Sequence, residues 1–349
     1  MRRVSGRLTR RAIALTPILG AARRSFAATA TAGAAPHTIA GRRIIRFADR
    51  DGAIHFGEPL GESAPDGSGW AQAHVLGGDI FRAGGATRTG ATADIARLLS
   101  PLGVADVPAI FGIGLNYRAH AEETGHEPPA FPIYFMKNPA CLSGPGDPIV
   151  IPPAANWPER PECDYEAELA IVVGAHAVSG APCKDVRSDD ALQHVLGFAC
   201  ANDVSARRWQ GPKRGGGQWC RSKSFDTFLP FGPCLATPQW LAEQQGRSSG
   251  AFDPSSGDPA VDGDGLRIFT ELNGATVQDS TTADMIFDVP QLISFLSEGT
   301  TLLPGTVILT GTPSGVGFTR KPPLWLKHGD SLTVGIDGLG ALTNPVVEE

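Results

Sequence analysis

Apolar residues in this chain recur mainly as short, β-branched runs rather than at helical spacing. Val107–Ile113, Ile149–Ile151, Leu169–Val173, Leu196–Ala201 and Val307–Leu309 are such runs, and each predicts a strand. Ile133–Lys137 predicts another, entered from an extended Pro-rich segment. Three hairpins are marked by their turns. Arg43–Phe47 and Ala53–Phe56 flank an Asp-Gly turn, and Leu266–Leu272 and Ala275–Asp279 flank Asn273-Gly274. Ser331–Ile336 and Ala341–Val347 close the chain around Gly338. Helical pattern is scarcer. It predicts short helices over Ala93–Leu99, Arg118–Thr124 (ended by Gly125), Asp189–Val195 and Asp288–Glu298, the last with Pro290 in its first turn. The chain reads as α+β and β-rich.

With 349 residues there is room for two domains. Residues 37–105 read as a small leading β domain and 106–349 as the larger one, interrupted by a polar, disordered insertion at 243–265. Glycine (43) and proline (29) are abundant, which suits a turn-rich β architecture. A net charge of −6 leaves no nucleic-acid footprint. The charge is uneven: the first acid is Asp49, and Arg2, Arg3, Arg7, Arg10, Arg11, Arg23 and Arg24 crowd the start. Residues 1–36 are Arg-rich and acid-free, as in a mitochondrial transit peptide. Arg10-Arg11 before Ala12–Ala22 also reads as a twin-arginine signal to a bacterial periplasm. Arg23-Arg24-Ser25-Phe26 interrupts that run and favours the mitochondrial matrix. No apolar run approaches the ~18 residues of a membrane span. Cys141, Cys163, Cys183, Cys200, Cys220 and Cys234 form no C-x-x-C pair, so reduced thiols are expected.

The chemistry begins with Asp164-Tyr165-Glu166-Ala167-Glu168, which leads into an apolar, half-buried strand. On a strand Glu166 and Glu168 share a face. They are either a solvated acidic edge or two oxygen ligands of a hard cation. Asp203, after Leu196–Ala201, either caps the following turn or is a third oxygen ligand. His120 and Glu123, three apart on a helix, form either a surface ion pair or a water-activating dyad. Lys223 lies among aromatic and small residues, where burial would demand an anion. Gly211–Gly217 is basic and glycine-rich, without the frame of a phosphate loop, and reads as a mobile segment beside a site. Thr310–Gly317 offers hydroxyls and backbone N–H groups that suit a small carboxylate, or is an ordinary turn.

Taken together, G-L-N-Y-R-A-H-A-E-E (114–123), Y-F-M-K (134–137), D-Y-E-A-E-L-A-I-V-V-G (164–174), A-N-D-V-S-A-R-R-W-Q (201–210), K-S-F-D-T-F (223–228), L-N-G (272–274) and I-L-T-G-T-P-S-G-V-G (308–317) resemble the fumarylacetoacetate hydrolase family. Q-W-C-R-S-K-S-F-D-T-F and R-K-P-P-L-W-L-K-H-G-D are similar to its domain-containing 2 branch. The resemblance spans residues 107–347. It implies a mixed β-roll catalytic domain, a homodimer, and bound Mg²⁺ or Mn²⁺, with Ca²⁺ as a substitute. It also implies Glu166, Glu168 and Asp203 as metal ligands, His120 and Glu123 as the dyad, Lys223 as a catalytic lysine, and Gln210 and Thr312 as substrate contacts. The founding hydrolase carries a further acidic ligand seven residues before its histidine. Ile113 stands there in this chain, which points to the three-carboxylate type.

The implied chemistry is enolisation of a small 2-oxo acid, with no nucleic acid or membrane partner. Oxaloacetate keto–enol tautomerisation is the leading expectation. Acylpyruvate or fumarylacetoacetate-type C–C hydrolysis and oxaloacetate decarboxylation use the same enolate. A catalytically silent metal-binding scaffold would need a broken set of site residues, and every position is filled.

Overall fold

A computed structural model describes residues 42–63, 69–82, 85–155, 162–244 and 265–349. The leader at 1–36 and nearly all of the 243–265 insertion lie outside the described residues. The fold is strand-rich and its sheets are mixed. The larger sheet runs, in spatial order, Ala86–Asp94, Gln72–Gly78, Ile54–Pro59, Arg43–Ala48, Leu229–Ala236, Val195–Asn202, Ala167–Val173, Val307–Leu309, Ile110–Gly114 and Ile133–Lys137. Along that path only Val307–Leu309 and Ile110–Gly114 pair in parallel. A second sheet runs Ala275–Thr281, Arg267–Leu272, Ser331–Ile336, Gly340–Glu348 and Ile149–Ile151.

The expected hairpins form. Arg46 pairs with Phe56 across the Asp-Gly turn, and Leu272 with Ala275 across Asn273-Gly274, both in the left-handed conformation that this two-residue turn requires. The helix Val289–Ser297 starts on Asp288, whose carboxylate accepts from the Gln291 amide at 2.8 Å, while Gln291 Oε1 accepts from the Asp288 amide at 3.0 Å.

Two readings change, and a third, the segment at 211–217, gains a defined local shape. Ala93–Leu99 is not a helix: Ala86–Asp94 and Arg97–Leu99 are strands, and Leu98 pairs with Phe47. Seven residues are too few to stabilise a helix alone, even with Thr92 at the N-cap position, and a sheet edge was open to them. Residues 211–217 hold a helical turn, Pro212–Gly215, whose Arg214 guanidinium pairs with the Glu162 carboxylate. Ala167–Val173 is buried on both faces rather than one. Ala170 and Val172 belong to one core, and Leu169, Ile171 and Val173 to the other. Glu166 and Glu168 have the parity of the first set, which carries them into the interior.

Candidate active site

The carboxylates meet because two strand ends meet. Ala167 pairs with Asn202 and Glu168 with Ala201 in an antiparallel ladder. The chain entering the first strand therefore lies beside the chain leaving the second. Asp203 N donates to Glu166 O at 2.9 Å, and the Glu166 amide donates to Asn202 Oδ1 at 3.0 Å. Oxygen atoms of Glu166, Glu168 and Asp203 lie within 4.8 Å of one another, and all three residues are buried. Regular pairing begins only at Ala167, so Glu166 sits on the extended approach to the strand.

Two buried lysines and a largely buried arginine face this cluster. Lys223 ends the helix Trp219–Lys223, with Nζ against Glu166 Oε2 and 2.6 Å from Asp203 Oδ2. Burial works against its ammonium, but Asp203 and Glu166 outweigh burial and raise its pKa. Lys137 donates to Asp203 Oδ1 at 2.7 Å, to Phe228 O at 3.0 Å and to Lys223 O, so its three N–H groups meet three acceptors. Arg207 sets Nη1 2.7 Å from Glu166 Oε1 and donates through Nε to Asp164 Oδ2 at 2.8 Å. Burial alone would raise Glu166. Lys223 and Arg207 instead hold it down, to about 2.

Glu168 differs. Burial, then the neighbouring Asp203 and Glu166 charges, push its carboxyl well above the ordinary range. Among the described residues it has no ion-pair partner; the Gly311 amide donates to its Oε2 at 2.7 Å. Asp164, Glu166, Glu168 and Asp203 thus face Lys137, Lys223 and Arg207, and the unmatched charge falls on Glu168. A divalent cation among the three carboxylates would match it, and an all-oxygen donor set suits a hard ion. The residues present fit such a metal.

The loop Thr310–Thr319 ties the remaining groups to this centre. Gly315 N and Thr319 Oγ1 donate to Glu123 Oε1 at 3.0 and 2.8 Å. Glu123 Oε2 meets His120 Nδ1 at 3.1 Å across one turn of Arg118–Glu123. Burial opposes the Glu123 charge, but the bonds from His120, Thr319 and Gly315 prevail and lower its pKa. An Nδ1–H directed at Glu123 leaves His120 Nε2 as the basic nitrogen; this tautomer is assigned from the geometry. Thr312 Oγ1 accepts from Gln278 Nε2 at 2.9 Å, which leaves the threonine proton free to donate elsewhere. Gln278 itself is fixed: its Oε1 accepts from Ala167 N at 3.0 Å and its Nε2 donates to Pro313 O at 2.9 Å.

A cavity of about 190 Å³ opens onto His120, Glu166, Glu168, Gln210, Lys223 and Thr312, walled by Phe135, Trp219 and Phe318. Six of the eight expected site residues line it. Glu123 stands behind His120, and Asp203 behind the two lysines. Gln210 Oε1 accepts from Arg207 Nη1 at 3.0 Å, so it braces the guanidinium from within the cavity. Reading the sequence missed Arg207, Lys137, Asp164 and Gln278. Asp164 did carry a signal, the same two-residue spacing that singles out Glu166 and Glu168. Arg207 and Lys137 resemble any exposed base until the fold buries them.

Comparison with known proteins places this architecture in a class. The model of the family described as fumarylacetoacetate (FAA) hydrolase, C-terminal, matches residues 109–347. The chain belongs to the fumarylacetoacetate hydrolase family and is an enzyme. Among its relatives, "Oxaloacetate tautomerase fahd2, mitochondrial" of Xenopus laevis is 42% identical over 250 residues, 72% of this chain and 68% of that protein. The "Fumarylacetoacetate hydrolase domain-containing protein 2 homolog" of Dictyostelium discoideum is 43% identical over 238 residues, 68% of this chain and 70% of that protein. The crystal structure of 2-hydroxyhepta-2,4-diene-1,7-dioate isomerase from Mycobacterium marinum superposes with a TM-score of 0.67 at 35% identity, over 88% of this chain and 99% of that one.

Proposed function

We propose that this enzyme is a divalent-metal-dependent oxaloacetate keto–enol tautomerase, with Mg²⁺ or Mn²⁺ held by Glu166, Glu168 and Asp203. The observation that carries the reading is the buried three-carboxylate cluster, with Glu168 unmatched, opening onto a small cavity beside Lys223 and Arg207. The relatives named oxaloacetate tautomerase support the substrate.

A bound divalent ion supplies Lewis acidity to the 2-oxo oxygen of a chelated 2-oxo acid. The chain's own groups do the rest. Lys223 places a positive charge beside the developing enolate, and the Thr312 hydroxyl donates toward it. Arg207, in the cavity wall, supplies a second positive charge for a substrate carboxylate. His120 Nε2 takes the enol hydroxyl proton and delivers one to C3, or runs the same exchange in reverse, while Glu123 holds the ring.

The His120–Glu123 pair also favours a second reading. If it activates water against a distal carbonyl, the same enolate becomes a leaving group and the reaction is acylpyruvate hydrolysis. The test follows enol-oxaloacetate absorbance with Mg²⁺ and then with EDTA, and measures pyruvate release from oxaloacetate and from an acylpyruvate. Metal-dependent enol decay without pyruvate supports the tautomerase. Rapid pyruvate release from the acylpyruvate with slow enol decay supports the hydrolase, and release from oxaloacetate a decarboxylase.

We further propose a mitochondrial address through residues 1–36, in line with relatives named mitochondrial. A homodimer is also proposed. Ile133, Tyr134 and Met136 on the edge strand, 42%, 53% and 43% exposed, are the apolar surface a second copy would cover. Residues 37–105 we read as a packing module, with Ile45, Phe47, Trp70 and Leu98 gathered around Cys234.

A further inference from the structure

We propose that Asp164 is the positioning residue of this site. Its carboxylate ties the Arg207 guanidinium to the Gly317 and Phe318 amides, and so sets where the guanidinium charge stands in the cavity wall that a bound carboxylate would face. The inference deepens the 2-oxo acid reading and rests on it only for the class of ligand.

Asp164 is fully buried and accepts four hydrogen bonds. Oδ1 takes the Gly317 amide at 2.7 Å and the Tyr165 amide at 2.9 Å. Oδ2 takes Arg207 Nε at 2.8 Å and the Phe318 amide at 3.1 Å. No lone pair is left for substrate, so Asp164 acts only through what it holds.

Arg207 is held on every side but one. Nε is on Asp164, Nη1 is shared between Glu166 and Gln210, and one face stacks on the Phe318 ring at 4.4 Å. Nη2 has no accessible surface and no hydrogen-bond partner among the described residues, and other parts of the side chain line the cavity. The guanidinium charge therefore stands in the cavity wall in one fixed plane, where it would attract an incoming carboxylate. Asp164 fixes the plane of the guanidinium through Nε. Through the Phe318 amide it also fixes the ring against which that plane is stacked. The fit is close: a Cβ on Gly317 would meet Asp164 Oδ1 at 2.6 Å. Glu166 also contacts Arg207, but through Nη1, which does not define the stacking ring.

The test uses the full-length enzyme and the variants Asp164→Asn, Arg207→Lys and their double. Three quantities are read: KM and kcat for enol-oxaloacetate with Mg²⁺, the Kd of oxalate with Mg²⁺ by calorimetry, and the Kd of Mg²⁺ alone. Asp164→Asn is expected to raise KM and the oxalate Kd about tenfold, the size of effect that orienting partners have. The expected change in kcat is within about threefold and in the Mg²⁺ Kd within about twofold, because the metal cluster is not moved. The double variant should be no worse than Arg207→Lys alone, since coupled residues do not add. A purely structural role would lower the melting temperature while leaving KM and the oxalate Kd of the folded enzyme unchanged. That result, or additive effects in the double variant, overturns the proposal. If Asp164→Asn does not fold, Asp164→Glu keeps the charge but displaces the guanidinium, and an unaltered oxalate Kd in that variant is equally fatal. Wild-type enzyme that binds oxalate but does not consume enol-oxaloacetate sinks the tautomerase reading and leaves the calorimetric arm decisive. Wild-type enzyme that binds no oxalate overturns both.

Discussion

The Gly311 amide donates to Glu168 Oε2 at 2.7 Å, and among the described residues no lysine or arginine pairs with that carboxylate. Glu166 and Asp203 beside it each have basic partners. Within one cluster, one acid is left for a cation. Glu168→Gln should therefore weaken Mg²⁺ binding at least ~10-fold, the scale of losing a metal-supporting group. It should also raise the melting temperature in EDTA at pH values high enough to ionise Glu168, because an unmatched buried charge is removed there. Melting curves of both proteins with EDTA and with Mg²⁺ check this. A wild type more stable than the variant in EDTA would contradict it.

Lys223 occupies carboxylate oxygens that a metal would also use. Lys223→Met should cut enol-oxaloacetate turnover by about 10²–10³, the usual cost of one preorganised charge at a developing oxyanion. The same variant should bind Mg²⁺ no more weakly than wild type, since a competing ammonium is gone. Calorimetry and enol decay on one preparation separate the two effects.

Glu123 has a lowered pKa in the folded enzyme, held there by His120, Thr319 and Gly315 against the effect of burial. A lowered carboxyl contributes stability that is present above the unfolded value and is lost as the pH falls through the folded value. Below the ordinary glutamate range, the wild type should therefore lose stability more steeply than Glu123→Gln. Urea midpoints from pH 7 down to acid unfolding would show the two curves converging, and parallel curves would refute it.

Gln278 joins the second sheet to the loop that carries Thr312. Gln278→Leu leaves the Ala167 amide and Pro313 carbonyl unpaired, at a cost of about 1–3 kcal/mol for a buried polar group. The Thr312 proton is then free to turn back on the protein, so turnover should fall beyond the loss of stability. Denaturant titration gives the first quantity, and kcat of the folded enzyme at a permissive temperature gives the second.

Much of this site was legible from local pattern. Glu166 and Glu168 are two apart before a strand, and His120 and Glu123 three apart on a helix, so period alone brings each pair together. Asp203 is 35 residues from Glu168, and only the Ala167–Asn202 pairing brings it in. Here the family resemblance carried what spacing could not. Lys137, Arg207 and Gln278 were illegible because nothing local distinguishes a buried polar side chain from a solvated one. Their partners, at Asp203, Asp164 and Ala167, are 66, 43 and 111 residues away. Ala93–Leu99 was misread for a related reason. Its composition allows a helix, but the open edge at Phe47 decided otherwise.

The loop Thr310–Thr319 serves three carboxylates, Glu168, Glu123 and Asp164, chiefly through its main chain. What it must inherit is therefore a path, not a set of side-chain groups. In a saturation library, proline should be excluded at 311, 315, 317 and 318, where the N–H itself is used. Position 315 should admit glycine alone, because any Cβ there runs into the Val277 carbonyl. Position 318 should accept other flat rings. Such a record would look like selection on shape, although what it protects is the charge balance of the site.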